Sequence, residues 1–140
     1  MIEWLLLAVL IVLSIVDVIW KRFPSGFLTG LLFLVAIVAY VIQGETALAL
    51  GLFSFIIGWM FLEFGVPING VADLKVITMI GFLLLDLRFF FLFISMVMVI
   101  GFIYQIIIMK MFSLKEDQDV AFIPVITLCY ITVLILGGVI

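Results

Sequence analysis

Long apolar stretches alternate with short polar, glycine-containing or proline-containing connections along the whole chain. Stretches of this kind predict transmembrane helices, because a helix needs about 20 residues to cross the hydrocarbon core of a bilayer. The breaks coincide with turn-forming residues such as Pro24-Ser25-Gly26 and Gln43-Gly44-Glu45. The pattern therefore predicts six helices joined by short loops, over about residues 2–20, 26–42, 46–64, 72–85, 89–109 and 121–140.

The composition places these helices in a lipid bilayer. Hydrophobic residues make up 69% of the 140 residues, charged residues make up 11%, and the mean hydropathy is +1.65. A water-soluble domain with so much apolar surface would aggregate. We therefore expect an all-α integral membrane protein, with one transmembrane helical domain over residues 1–140 and almost no chain left for a soluble domain.

Basic residues predict the orientation of the spans. If the six helices alternate in direction, Arg88 falls on one side of the membrane and the other five basic residues fall on the opposite side. Those five are Lys21, Arg22, Lys75, Lys110 and Lys115. Because Lys and Arg concentrate in cytosolic loops, we expect that side to face the cytosol, with both termini on the extracytoplasmic side of the cell membrane.

Several kinds of chemistry are excluded by residues that the chain lacks. Histidine is absent, which removes histidine-activated serine or cysteine nucleophiles and the commonest zinc ligand. The lone Cys129 cannot form an internal disulfide. Six basic residues and a formal charge of −3 provide no basic stripe for phosphates. We therefore expect no metal, no other cofactor and no nucleic-acid partner.

Asp17 and Asp73 are the first candidates for chemistry. Inserting an aspartate at the centre of a membrane helix costs about 2.5–3.5 kcal/mol, so two of them in so apolar a chain indicate a function. The predicted topology places Asp17 about one turn inside the cytosolic end of the first helix and Asp73 at the cytosolic start of the fourth. The two carboxylates are thus expected at the same depth and the same membrane face.

A pair of neighbouring carboxylates can hydrolyse a peptide bond. The two groups cannot both ionise at low cost when they are a few ångströms apart, so one of them keeps its proton. The ionised member can take a proton from water while the protonated member donates to the carbonyl oxygen of the peptide. Simpler roles stay open for each residue alone, since Asp17 can pair with Lys21 four residues later and Asp73 can cap a helix.

Residues around Asp73 suit a substrate site. Gly70 has no side chain and allows an extended substrate strand to approach the backbone closely. Lys75 points to a different helix face from Asp73, which favours a role as an interfacial anchor or a substrate contact. Glu63 near the cytosolic end of the third helix is either an interfacial residue or a supporting residue of the site.

Each candidate aspartate lies in a short motif. The first motif leads from Asp17 through a basic linker to Pro24, seven positions later, and the second is Gly70-Val71-Ala72-Asp73-Leu74-Lys75. Together they resemble the type IV prepilin peptidase and preflagellin peptidase family of membrane aspartic proteases. The second motif is similar to the family's G-x-G-D-x-K signature, with Ala72 where bacterial members usually have glycine. The resemblance covers essentially the whole chain, and it implies that Asp17 and Asp73 are the catalytic pair.

The resemblance also implies a substrate. Family members remove a short basic leader from pilin-like or archaellin precursors at the cytosolic membrane face, just before the hydrophobic segment. Methylation of the new N-terminus, a second activity of larger bacterial members, is not expected because the accompanying insertion and cysteine pairs are lacking. An acidic cluster is either a solvated loop or an attractor for a basic leader; it comprises Glu116, Asp117 and Asp119. The precursor, the host lineage and the oligomeric state stay open.

Three other functions are alternatives to a prepilin peptidase-like protease. An intramembrane protease of the presenilin or signal-peptide-peptidase type shares a G-x-G-D element, but this chain has no proline-alanine-leucine element and fewer spans. A small ion-coupled transporter would use Asp17 and Asp73 as ion sites, although such sites are expected near the bilayer midplane. A noncatalytic assembly subunit would tolerate the loss of both aspartates.

Overall fold

A computed structural model describes residues 2–20, 25–64, 71–84, 86–112 and 122–138. Within these ranges the chain forms six α-helices, so the all-α fold is confirmed. They are α1 (Ile2–Trp20), α2 (Ser25–Gln43), α3 (Glu45–Phe64), α4 (Val71–Leu83), α5 (Leu87–Phe112) and α6 (Ile123–Leu136). Gly44 alone separates α2 from α3, and its φ of 74° is a left-handed conformation that glycine adopts without strain.

The start of α5 differs from the prediction. We expected the helix to begin at residue 89 and took Asp86-Leu87-Arg88 as a connection, whereas the helix begins at Leu87. Asp86 caps this helix start, because its Oδ1 accepts a hydrogen bond from the backbone N–H of Arg88 at 2.9 Å. Its carbonyl oxygen also accepts from the N–H of Phe90 at 2.9 Å. The polar residue that looked like a loop residue is therefore part of the helix start.

Three of the helices in the described ranges are long and apolar enough to cross a membrane. They are α2, α3 and α5, with candidate spans over Gly26–Gln43, Glu45–Phe64 and Leu87–Ile108. Large apolar side chains cover their outer faces, as at Ile37, Leu52 and Val99, each at least 60% exposed. Such an exterior suits lipid rather than water. The fold is consistent with a helical membrane protein, as the composition predicted.

The short helix α4 is the most buried helix of the bundle. Ten of its 13 residues are buried, and it packs against α2, α3 and α6. Its one buried hydroxyl, on Thr78, donates to the carbonyl oxygen of Leu74 at 2.8 Å, so the helix satisfies this polar group itself. A helix of this length extends about 20 Å, which is shorter than the hydrocarbon core of about 30 Å. Asp73, in the first turn of α4, is buried within the bundle.

Small residues bring α3 and α4 close together. Gly51, Ser54 and Gly58 of α3 are buried at spacings of three and four residues, so they share one face of the helix. A methyl group added at Gly58 would collide with Leu74 of α4, and one added at Gly81 of α4 would collide with Ser54. Close approach through small residues is a common way to pack helices in membranes. The contacts also show that α3 and α4 are antiparallel.

Contacts between helix termini place both aspartates at one end of the bundle. Asp17 near the end of α1 contacts Ile123 at the start of α6, and Lys75 near the start of α4 contacts Thr29 near the start of α2. Only residues 21–24 separate α1 from α2, and this link spans at most about 18 Å. The ends of α1 and α3 and the starts of α2, α4 and α6 therefore lie together. We call this the Asp17 end.

A cavity lies toward the opposite end, between α1, α2 and α4. It has a volume of about 150 Å³, and its lining is almost entirely apolar. Leu83 of α4 forms part of the lining, ten residues and about 15 Å along the helix axis from Asp73. This cavity is therefore not part of the candidate site.

Tyr130 of α6 is completely buried, and its hydroxyl has no hydrogen-bond partner within the described part of the chain. A buried hydroxyl without a partner destabilises a fold, whereas an apolar group of the same shape is neutral or stabilising. We therefore expect Tyr130→Phe to keep or slightly raise the thermal unfolding temperature in detergent. Tyr40→Phe, at a residue 49% exposed, serves as the control and should be neutral. A clear loss of stability in Tyr130→Phe alone would contradict this expectation.

Candidate active site

Asp17 lies three residues before the end of α1 and is half-buried. Its Oδ2 accepts a hydrogen bond from the backbone N–H of Ile123 at 3.2 Å. The backbone amide of Phe122 also interacts with this carboxylate. The first aspartate of the predicted pair is thus held at the beginning of α6.

This contact gives α6 the cap that its own sequence lacks. The N-cap residue of α6 is Phe122, which has no side-chain oxygen to accept from the first amides of the helix, and proline occupies the first turn. Asp17 supplies the missing acceptor from α1, which makes it a cap across a helix interface. The sequence had suggested Lys21 as a local partner of Asp17, and Lys21 lies outside the described residues.

The surroundings of Asp17 act on its charge in opposite directions. Partial burial in an apolar bundle disfavours the ionised carboxylate. The amide donors at the start of α6, together with the positive end of that helix dipole, favour it. The Asp17 carboxylate is thus held by backbone amides of α6 while it remains partly exposed.

Asp73 is the third residue of α4 and only 7% exposed. Among the described residues it is the one charged side chain that the fold buries. The next residue, Leu74, packs against Gly58 of the antiparallel helix α3. From Gly58, α3 runs six more residues toward the Asp17 end and finishes at Phe64. Asp73 therefore lies more than one helical turn below the end of α3.

The two aspartates lie at the same end of the bundle, and their equal depth in the membrane stays a prediction. Asp17 is about 4.5 Å from the end of its own helix, at 1.5 Å per residue. Helix α6 connects the two, because it packs against both α1 and α4. The extensive contacts of α1 are with α6, whereas those of α4 are with α2, α3 and α6. The approach of the two carboxylates to each other stays a prediction.

The other predicted site residues have separate outcomes. Lys75 donates from Nζ to Oγ1 of Thr29 at 2.8 Å, which connects α4 to α2. Its predicted roles as an interfacial anchor or a substrate contact both stay predictions. Glu63 is exposed in the last turn of α3, at the Asp17 end. The remaining predicted residues lie outside the described ranges; they are Pro24, Gly70, Glu116, Asp117 and Asp119.

Tyr104 of α5 is a neighbour of Asp17 that the sequence analysis missed. Its ring packs on Phe122 with the ring centres 6.5 Å apart, and the Asp17 charge acts electrostatically on its hydroxyl. The available signal was the polar pair Tyr104-Gln105 inside an apolar span. A polar hydroxyl from a third helix therefore lies near the first aspartate. In the described part of the chain, no group of three or more His, Cys, Asp or Glu residues could hold a metal ion.

In comparisons with known proteins, no protein-family model, curated protein or solved structure matches the chain.

Proposed function

We propose that the chain is a membrane aspartic endopeptidase whose catalytic pair is Asp17 and Asp73. The observation that supports this proposal most is the placement of both carboxylates at one end of the bundle, each about a turn or more below a helix end. In this proposal the six helices alternate in direction across the bilayer, with the short helix α4 enclosed by its neighbours, both termini extracytoplasmic and the Asp17 end facing the cytosol. The two motifs that resemble prepilin peptidases contribute the same two aspartates.

The two residues have different roles in the proposed reaction. Asp17 is the ionised base, because backbone amides of α6 hold its carboxylate and it remains partly open to water. Asp73 is the protonated acid in this proposal, because the fold buries its side chain and burial favours the neutral carboxyl group. The fold thus surrounds two carboxyl groups with different environments, which is how one pair supplies both an acid and a base.

Hydrolysis then takes two proton-transfer steps. Asp17 removes a proton from water, the oxygen of that water bonds to the peptide carbonyl carbon, and Asp73 gives its proton to the carbonyl oxygen. In the second step Asp17 gives the acquired proton to the leaving nitrogen, the carbon–nitrogen bond breaks, and Asp73 recovers a proton from a hydroxyl of the tetrahedral intermediate. Both carboxyl groups return to their starting forms, and no covalent enzyme intermediate is needed.

The depth of the pair suits a substrate with a polar leader joined to an apolar helix. Such a precursor places the junction of the two segments at the membrane interface, since the leader stays in water and the helix stays in lipid. Aspartates about one turn below the helix ends meet the chain close to this junction. We therefore propose pilin-like or archaellin precursors as substrates, cut at the cytosolic face of the cell membrane.

Sequencing the product of a cleavage reaction tests this function. The purified protein is incubated in liposomes with a full-length precursor, and the new N-terminus is determined. We expect loss of the leader and an N-terminus at the start of the apolar segment. An intact precursor would overturn the proposal, and ion-driven flux in the same liposomes would favour the transporter function instead.

A further inference from the structure

Two hydroxyl groups meet in the interface between α1 and α6. Ser14 Oγ and Thr127 Oγ1 are 2.8 Å apart, and Thr127 is only 5% exposed. Each hydroxyl also lies near a carbonyl oxygen of its own helix. Ser14 Oγ is 2.7 Å from the carbonyl oxygen of Leu10, and Thr127 Oγ1 is 2.9 Å from that of Ile123.

The available protons require a hydrogen bond between the helices. Each hydroxyl has one proton to donate. If Ser14 and Thr127 both donated to their own helices, two oxygens would face each other at 2.8 Å with no proton between them. One hydroxyl must therefore donate to the other, while the second donates to a carbonyl oxygen. A polar link of this kind holds membrane helices in a fixed register.

The hydroxyl pair is adjacent to the contact that holds Asp17. Ser14 is three residues before Asp17 on α1, and Thr127 is four residues after Ile123 on α6. Both pairs of residues therefore lie on the same helix faces, one turn apart. A shift of α6 along α1 that separates Ile123 from Asp17 must also break the hydroxyl pair.

We propose that Ser14 and Thr127 are positioning residues, which fix the start of α6 against α1 so that its amides hold the Asp17 carboxylate in its catalytic orientation. This inference rests on the proposed peptidase function. Neither hydroxyl contacts the substrate in this role. Their loss therefore reduces the rate of the chemical step and leaves substrate binding unchanged.

The test compares Thr127→Val, which keeps the shape of the side chain, with Ser14→Ala and with the double variant. We expect kcat for leader removal to fall about three- to tenfold, since hydrogen bonds between membrane helices are individually modest, with KM unchanged. We also expect faster hydrogen exchange at the Ile123 amide. Thr127→Ser restores a hydroxyl and should recover most of the lost kcat.

Thr132→Val is the matched control. Thr132 lies on the same helix and donates to the carbonyl oxygen of Leu128 at 2.9 Å, away from α1. This variant should keep the wild-type kcat. An unchanged kcat in the folded double variant would overturn the positioning role and leave the peptidase proposal intact. Absence of cleavage by the wild-type protein would overturn the peptidase proposal itself, and the positioning role with it.

Discussion

Asp17→Asn and Asp73→Asn each reduce leader cleavage by about a hundred- to ten-thousand-fold, which is the range that general acid–base groups contribute. Asparagine keeps the size of aspartate but neither takes a proton from water nor gives one to a carbonyl oxygen at neutral pH. At residue 17 the asparagine side-chain oxygen can still accept from the N–H of Ile123, so the cap of α6 survives. The loss should therefore appear in kcat and not in folding.

Glu63→Gln is the matched control for these variants. Glu63 is an exposed carboxylate at the Asp17 end, on α3 instead of α1 or α4. Its replacement removes one negative charge from the same end of the bundle and should leave the cleavage rate within about twofold. Normal cleavage by Asp17→Asn or by Asp73→Asn would remove that residue from the mechanism. A loss in Glu63→Gln as large as in the aspartate variants would point to surface charge instead of a catalytic pair.

Gly81→Val lowers the free energy of unfolding by about 3 kcal/mol, the upper range for overpacking a tight core. A Cβ at Gly81 would lie 2.6 Å from Ser54 Oγ and 3.3 Å from the carbonyl oxygen of Leu50. Ser54 has little freedom to move, because it is buried and its hydroxyl donates to the carbonyl oxygen of Ile77 at 2.9 Å. Helix α4 must therefore move away from α3, and this displaces Asp73 as well.

Unfolding in mixed detergent, followed together with cleavage, measures both consequences. Gly30→Val is the control, because a Cβ at Gly30 on α2 meets nothing within 4 Å. We expect Gly81→Val to lose stability and kcat, and Gly30→Val to keep both. Equal stability of the two variants would show that α3 and α4 are not in close contact at Gly81.

The helices and the common end of the two aspartates could be predicted from the sequence because both depend on local patterns. Apolar runs of membrane length indicate helices directly, and the order of the helices then places Asp17 and Asp73 at one end. The spacing of Gly51, Ser54 and Gly58 is typical of a packing face, and it is a signal that the sequence analysis missed. The start of α5 was placed two residues late because Asp86 was not recognised as the cap of this helix, although aspartate is a favoured helix cap.

Long-range partners could not be predicted in the same way. The carboxylate of Asp17 and the amide of Ile123 are 106 residues apart, and no local pattern connects them. The sequence placed Phe122 inside the predicted last helix, whereas it is the N-cap residue of α6, so the need for an acceptor from another helix was not visible. Helix α4 is apolar on nearly all faces, a pattern that does not indicate which helices cover it. The contact between Lys75 and Thr29 depends on that arrangement.

Crosslinking between the two aspartate positions tests most directly whether they form one site. The lone Cys129 is replaced by alanine, and the double variant Asp17→Cys with Asp73→Cys is treated in membranes with a short bifunctional thiol reagent. A pair of Asp17→Cys with Leu87→Cys, at the start of α5, is the distant control. We expect intact-protein mass spectrometry to show an internal bridge in the first pair and none in the second. Failure of the first pair to bridge, although each single cysteine reacts with a monofunctional reagent, would contradict a shared catalytic site.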